Sequence, residues 1–281
     1  MLANAQFSGL RTVLLLAVLL LPTAVHAQDT VDPERNQGDI RFWAVSDLAY
    51  DPTEPALLGA RVAEPVDYPA TFYSASRSGR CTSTVIGPRV LLTAAHCVGN
   101  GAVATVRRSG RDSRSVCTHA PGYPANKTAD WALCLFDAPL NGLRYERISI
   151  DPRLVGVGSE LLLTGFGCTR PDGTGGNDGI YRIGEAPITR LPQGSDNDII
   201  TRGSVALCFG DSGGPAFAYL DPQRRRRVQV SVNSRGNIQD TSYLSSLSTA
   251  ASIQFLREWS ARNGARICGL HSDAPNCRTI N

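Results

Sequence analysis

The sequence predicts an all-β fold, a sandwich or a barrel, with one α-helix near the C-terminus. From Val62 onward, short β-rich runs alternate with turn dipeptides such as Gly-Pro, Asn-Gly and Asp-Gly. Many short strands without helical periodicity between them are typical of sandwiches and barrels. The strand-like runs include residues 82–86, 90–92, 131–136, 160–164 and 228–232.

The helix is predicted over about residues 249–262. Ser248 or Thr249 can cap its start, and Gly264 can end it. Apolar side chains recur at a three-residue step, as a helix with one buried face requires. They are Ile253, Leu256 and Trp259.

Residues 1–27 are predicted to be a signal peptide. Arg11 gives a positive start, an apolar run follows over 12–25, and Val25-His26-Ala27 offers small residues at the cleavage positions. A membrane anchor is the alternative interpretation, but the run is short for a bilayer span. No later stretch of the sequence approaches membrane length. We therefore expect a soluble mature protein that is secreted or periplasmic.

Residues 28–61 hold many acidic and proline residues with little periodicity, which predicts a pro-segment or an extended arm. The formal net charge of +3 is too mild to indicate a nucleic-acid partner. One basic run, residues 224–227, consists of four arginines. We interpret it as a solvated hairpin tip, with contact to an anionic surface as the alternative.

Residues 210–215 read Gly-Asp-Ser-Gly-Gly-Pro and carry the chemistry of the chain. Ser212 lies among small residues, where a tight turn lets a substrate carbonyl approach both the hydroxyl and the neighbouring backbone N–H groups. Serine is a poor nucleophile by itself. It needs a histidine to accept its proton and a carboxylate to orient that histidine.

His96 and Asp130 are the candidates for these two partners. His96 follows a strand-like run, within Thr-Ala-Ala-His-Cys, where small alanines allow close packing under the ring. Asp130 precedes an apolar run and can be buried, where its charge is least screened. Asp112 lies in a charged loop and Asp137 follows the strand, so both are weaker candidates.

Thr-Ala-Ala-His-Cys, followed much later by Gly-Asp-Ser-Gly-Gly-Pro, resembles the chymotrypsin-like (trypsin-superfamily) serine proteases. The resemblance covers about residues 62–262 and suggests a secreted bacterial member. It implies two six-stranded antiparallel β-barrels packed together, about 62–150 and 151–248, with the C-terminal helix after them and the site between them.

The family's activity then becomes the expectation for this chain: a monomeric serine endopeptidase that cleaves proteins or peptides through an acyl-enzyme. In that mechanism Ser212 attacks the carbonyl, His96 moves the proton and Asp130 fixes the histidine tautomer. The backbone N–H groups of Gly210 and Ser212 would form the oxyanion hole. The mechanism requires no metal and no organic cofactor.

Eight cysteines fit four disulfides formed in an oxidising compartment. No Cys-x-x-Cys pair is present, so a zinc ribbon or a thioredoxin-like site is not expected. The resemblance pairs Cys81 with Cys97. The other expected pairs hold the strand after Asp130, tie the nucleophile loop to the second barrel and close a tail over 263–281. They are Cys117–Cys134, Cys168–Cys208 and Cys268–Cys277.

The resemblance also raises the question of activation. In relatives made as zymogens, a new N-terminal amino group pairs with the aspartate before the serine, here Asp211. Cleavage after Arg61 by an activating protease would give a new terminus at Val62. The family's usual Ile-Val-Gly-Gly start is absent, and some relatives satisfy this aspartate with an internal partner instead.

Specificity is expected to depend on the residue six before the serine, Ala206. It offers no charge, so a preference for Arg or Lys is not expected. Asn233, Ser234 and Arg235 should form the pocket wall. Arg235 either reaches into the pocket, where it would favour an acidic substrate side chain, or faces solvent. In the second case, the pocket would accept an apolar or small substrate side chain.

Two rival functions remain for a chain with these motifs. One is a catalytically silent homologue that acts as a binding protein, although such proteins typically lose a triad residue. The other is a permanently latent enzyme whose arm blocks the cleft. Labelling by a serine-directed probe would separate both from an active protease.

Overall fold

A computed structural model of the chain describes residue 1 and residues 40–48, 60–76, 79–170, 172–174 and 178–278. The predicted signal peptide, apart from Met1, and most of the predicted arm lie outside the described residues. Among the described residues, no helix is both long and apolar enough to cross a membrane.

The first barrel is closed by seven strands. Six of them form a continuous antiparallel sheet in the order β3, β4, β5, β8, β7 and β6. The seventh, β1, joins the two ends of this sheet. The strands are β1 (Ile40–Ala44), β3 (Thr71–Ser76), β4 (Gly79–Gly87), β5 (Val90–Thr93), β6 (Val103–Arg108), β7 (Arg111–His119) and β8 (Ala132–Phe136).

β1 is a strand that the sequence analysis did not predict, since it lies within the segment expected to be an arm. It pairs antiparallel with β3 and parallel with β6, and so closes the barrel. Ile40, Phe42 and Ala44 are buried in the barrel core while Arg41 is exposed. This two-residue alternation is the strand pattern. The alternation extends over only five residues next to an acidic, proline-rich stretch, which is too short a pattern to predict a strand.

The second barrel consists of six strands, with a short seventh on its outside. Pairing of β10 with β11 closes the barrel, and the two-residue β2 adds to β10. The fold class of two β-barrels with a C-terminal helix is therefore confirmed, but the first barrel has seven strands rather than six and includes the parallel β1–β6 pair. The strands are β2 (Arg61–Val62), β9 (Glu160–Gly165), β10 (Arg182–Arg190), β11 (Asp198–Arg202), β12 (Pro215–Tyr219), β13 (Arg227–Gly236) and β14 (Thr241–Ser246).

The helix α1 spans Ala250–Arg262 and packs against the core of the first barrel. Thr249 caps it, with Ser252 completing a reciprocal capping box. The buried face differs from the one predicted, because Phe255 is buried with Leu256 and Trp259 while Ile253 is only half-buried. The tail after α1 continues along the first barrel, where Ile148 N–H donates to the Cys268 carbonyl at 2.9 Å.

The four arginines at 224–227 are not a uniformly solvated tip. Arg227 begins β13, is buried, and donates to Glu146 at 2.7 Å while stacking on Tyr68 at 3.9 Å. Arg224 and Arg226 form ion pairs with Glu160 and Asp221. Most of the positive charge in this run is therefore matched by nearby carboxylates.

Candidate active site

Three segments bring the predicted triad residues into one region between the two barrels. His96 lies in the 3-10 turn Ala95–Cys97, directly after β5. Asp130 lies just before β8, and Ser212 lies in the loop before β12. Ala94 and Ala95 beside the histidine are fully buried, so the small side chains permit close packing here.

Asp130 and His96 form a direct, oriented contact. The His96 Nδ1 atom lies 2.7 Å from Asp130 Oδ2, and the His96 backbone N–H donates to Oδ1 at 3.0 Å. The Ser234 hydroxyl donates to Oδ2 at 2.6 Å. With the Nδ1 proton committed to the carboxylate, Nε2 is left to accept a proton, which is the tautomer that a general base needs.

The pKa values of this pair shift in the directions that catalysis requires. Burial raises the pKa of Asp130, but the charge of His96 and the hydrogen bonds from His96 and Ser234 outweigh it, so the net pKa is lowered. Burial lowers the pKa of His96, but the charge and hydrogen bond of Asp130 outweigh it, so the net pKa is raised. Asp130 is therefore held as a carboxylate beneath a more basic imidazole.

The Ser212 hydroxyl donates to the carbonyl of Ser234 at 3.3 Å. Within the described residues, no hydrogen bond joins it to His96. Both side chains line one cleft of about 420 Å³. Hydroxyl groups rotate freely, and catalytic hydrogen bonds often tighten only when substrate is bound. The cleft is lined by Ser76, Gly79, Arg80, Cys81, His96, Cys97, Phe209, Gly210 and Ser212.

The Gly210 amide has a defined direction. Cys168 N–H donates to the carbonyl of Phe209 at 3.0 Å. Because the peptide unit is planar and trans, the N–H of Gly210 points away from that carbonyl. Gly210 has φ of 109°, a conformation that favours glycine. Gly210 also lines the cleft that holds Ser212 and His96.

Asp211, within the nucleophile loop, is buried. Its two carboxylate oxygens accept hydrogen bonds from Gly167 N–H at 2.8 Å and from Cys208 N–H at 2.9 Å. Burial nevertheless raises the pKa of Asp211 to about 6, because two backbone donors and the more distant charge of Arg182 compensate only part of the lost hydration.

Val62 and Asp211 are not in contact in the described structure. Val62 lies in β2 and pairs with Arg182 of β10, within an uncut chain. Ala60, two residues before Val62, lines a small cavity that Asp211 also lines.

The expected specificity residues occupy different environments. Ala206 is buried and uncharged, while the Asn233 amide turns away to the Thr164 carbonyl at 2.8 Å. Ser234 supports Asp130, a role that no sequence signal indicated. Arg235 is paired with the buried carboxylate of Asp198 and stacks on the ring of Tyr243 at 4.7 Å.

Four disulfides pair all eight cysteines. One of them, Cys81–Cys97, lies beside His96. These two sulfurs and the imidazole come close together, but bonded sulfurs offer no thiolate, so this group does not fit a metal ion. The four pairs are Cys81–Cys97, Cys117–Cys134, Cys168–Cys208 and Cys268–Cys277.

The two β-barrels and the C-terminal helix agree with the chymotrypsin-like fold that the sequence resemblance implied. A family model described as Trypsin matches residues 59–248, more than half of the chain. The chain therefore belongs to the trypsin family of serine proteases, and this family implies protein substrates.

Solved structures share the fold at low sequence identity. A Glu endopeptidase in complex with MPD is 18% identical, with a TM-score of 0.54, covering 74% of this chain and 98% of that chain. Human heparin binding protein is 19% identical, with a TM-score of 0.54 and coverage of 74% and 97%. A mutant of that human protein is 18% identical, with a TM-score of 0.57 and the same coverage.

Proposed function

We propose that this protein is a secreted or periplasmic serine endopeptidase that uses Ser212, His96 and Asp130. The observation that carries the proposal is the buried Asp130 carboxylate, which holds His96 Nδ1 at 2.7 Å while Ser212 lines the same cleft as the imidazole. Four disulfides agree with an oxidising compartment outside the cytoplasm.

The chemistry follows from the positions of these groups. Ser212 Oγ bonds to the substrate carbonyl carbon while its proton passes to His96 Nε2. The carbonyl oxygen becomes an oxyanion, which the N–H groups of Gly210 and Ser212 stabilise. His96 then gives the proton to the leaving amine, and the C–N bond breaks to leave an acyl-enzyme. Water repeats the sequence and releases the acid.

We infer a preference for a small or apolar residue before the scissile bond. Ala206 provides no negative charge for Arg or Lys. The positive charge of Arg235 is already matched by Asp198, which weakens its attraction for an acidic substrate side chain. Peptide substrates that differ only at this residue test the preference, and rapid cleavage after Arg would contradict it.

We also propose that cleavage after Arg61 activates the protein. Asp211 has no ion-pair partner among the described residues and a raised pKa, so a nearby amino group would stabilise its charged form. N-terminal sequencing of active material tests this step. A start well away from Val62 would exclude it.

The central test is covalent labelling with a fluorophosphonate probe. Ser212 Oγ bonds to phosphorus, the P–F bond breaks, fluoride leaves, and the serine proton passes to His96. The purified chain should be labelled after treatment with immobilised trypsin, which cleaves after arginine. The variants Ser212→Ala and His96→Ala should not be labelled, whereas Asp112→Asn, at an exposed position, should be labelled like the wild type.

A catalytically silent binding protein is the second candidate, because human heparin binding protein shares the fold. That likeness, at 19% identity, concerns the fold alone. Absence of labelling before and after trypsin treatment would favour this candidate. Labelling at Ser212 would exclude it.

A further inference from the structure

Thr82, in β4 of the first barrel, reaches across to the nucleophile loop of the second. The residue is fully buried. Its hydroxyl donates to the carbonyl of Gly210 at 2.8 Å and accepts from Phe166 N–H at 3.2 Å. Its backbone N–H donates to the carbonyl of Ser212 at 2.7 Å. One residue therefore binds the loop on both sides of Asp211.

The Gly210 peptide groups are held from both sides as a result. Cys168 N–H fixes the carbonyl before Gly210, at 3.0 Å, and the Thr82 hydroxyl fixes the carbonyl after it. Glycine rotates more freely than other residues, so the amide direction at φ of 109° depends on such contacts. The second peptide group, between Gly210 and Asp211, is held at its other end by Asp211 N–H, which donates to the Cys208 carbonyl at 3.1 Å, and the Thr82 hydroxyl fixes its carbonyl end.

We propose that Thr82 is a positioning residue for the oxyanion hole, which it holds through the Gly210 carbonyl without touching substrate. The proposal rests on the proposed protease function of Ser212. The hydroxyl is essential to this positioning role, because only a group that both donates and accepts hydrogen bonds can satisfy the Gly210 carbonyl and the Phe166 N–H at once. Valine has the same shape but would leave both backbone groups buried without partners, an arrangement that favours a shift of the loop.

Thr84 provides a matched control on the same strand. It is also fully buried, and its hydroxyl has no hydrogen-bond partner among the described residues. Thr84→Val makes the same chemical change two residues away, without removing a contact to the loop. Thr82→Ser keeps the hydroxyl and should restore the wild-type behaviour.

The experiment measures the second-order rate constant and the final extent of fluorophosphonate labelling after trypsin treatment, because the phosphoryl oxygen enters the oxyanion hole. Loss of an oxyanion donor costs about 10²–10³-fold, so misdirecting one donor in Thr82→Val should lower the rate constant by roughly tenfold. The final extent should stay complete, and the pH midpoint should stay unchanged, because His96 and Asp130 are not altered. Thr82→Ser and Thr84→Val should label at close to the wild-type rate.

Wild-type rates in Thr82→Val, or slow labelling in Thr84→Val as well, would overturn the role of Thr82 while leaving the protease function intact. Failure of the wild type itself to label would overturn both proposals. Where Thr82→Val lowers the final extent through misfolding, Thr82→Ala replaces it. Alanine also removes the hydroxyl, and the same slow rate is expected.

Discussion

Asp130 carries a buried charge, and its three hydrogen-bond donors explain how the fold tolerates it. Two come from His96, through the ring and the backbone, and one comes from the Ser234 hydroxyl. Burying a carboxylate without such partners would be costly. The alternative acids differ in this respect, since Asp112 and Asp137 form ion pairs at the surface and are about half exposed.

The raised pKa of His96 predicts how activity depends on pH. The imidazole must be neutral to accept the serine proton, so the labelling rate should rise with pH through a midpoint above the ordinary histidine value of 6.5. The same shift means that His96 contributes stability below about pH 6.5 that is lost as the pH rises through its folded-state pKa.

NMR titration of His96 in a Ser212→Ala protein measures the pKa directly. Adding Asp130→Asn removes the charge that raises it, so burial should then dominate and bring the midpoint below that of the parent. A midpoint at or below 6.5 with Asp130 present would contradict this account.

At the scale of elements, the end of β9 is packed against the nucleophile loop with no space for a side chain. A Cβ atom at Gly165 would lie 2.2 Å from Asp211 Oδ1 and 2.7 Å from the Asp211 Cα atom. The second of these is backbone, so the loop itself would have to move. The glycine therefore sets the distance between β9 and the residue beside Ser212.

Gly165→Ala should lower both stability and labelling rate. Overpacking of this kind costs about 1–3 kcal/mol, and the displaced loop carries both oxyanion donors. Gly156→Ala is the control, since a Cβ atom there meets nothing within 4 Å. Urea denaturation and labelling rates measure the two effects. Equal stabilities and equal labelling rates in the two variants would show that the position of the loop does not depend on this close approach.

Local sequence patterns predicted several strands, but they could not predict contacts between residues that are far apart in the chain. The runs at 82–86 and 90–92 lie in β4 and β5, and the run at 131–136 overlaps β8, because the β-branched, aliphatic and aromatic residues there fit a buried pleated surface. The Ser234 hydroxyl reaches Asp130 across 104 positions, and no local pattern encodes that contact. The sequence does not decide whether Arg235 lies in the pocket or faces solvent, because its ion-pair partner, Asp198, lies 37 positions away.

For the whole molecule, closure of the first barrel depends on a strand that precedes the proposed cleavage site. β1 fills the gap between β3 and β6 and buries Ile40 and Phe42 in the core. All eight cysteines lie at position 81 or later, so no disulfide links β1 to the rest of the molecule. Cleavage after Arg61 would leave β1 attached by hydrogen bonds and apolar contacts alone.

The cut protein should therefore keep the β1 segment as a separate, bound peptide. Burial of one large apolar side chain stabilises by about 1.5–3 kcal/mol, so Ile40 and Phe42 together contribute roughly 3–6 kcal/mol. Gel filtration after trypsin treatment should recover the peptide with the protein under native conditions and separate the two in urea. Mass spectrometry identifies the peptide in each fraction.

A shortened chain that begins at Val62 lacks β1, so it measures how far the stability of the first barrel depends on this strand. It should melt at a lower temperature than the cut protein, because an open barrel exposes the unpaired edges of β3 and β6. A synthetic peptide covering residues 40–48 should raise the melting temperature as its concentration rises, since it binds only the folded state. The same peptide with Phe42→Asp should have little effect, because it would bury a charge without a partner. If the shortened chain melts like the cut protein and ignores the peptide, the barrel closes without β1, and the segment before Arg61 is a removable arm.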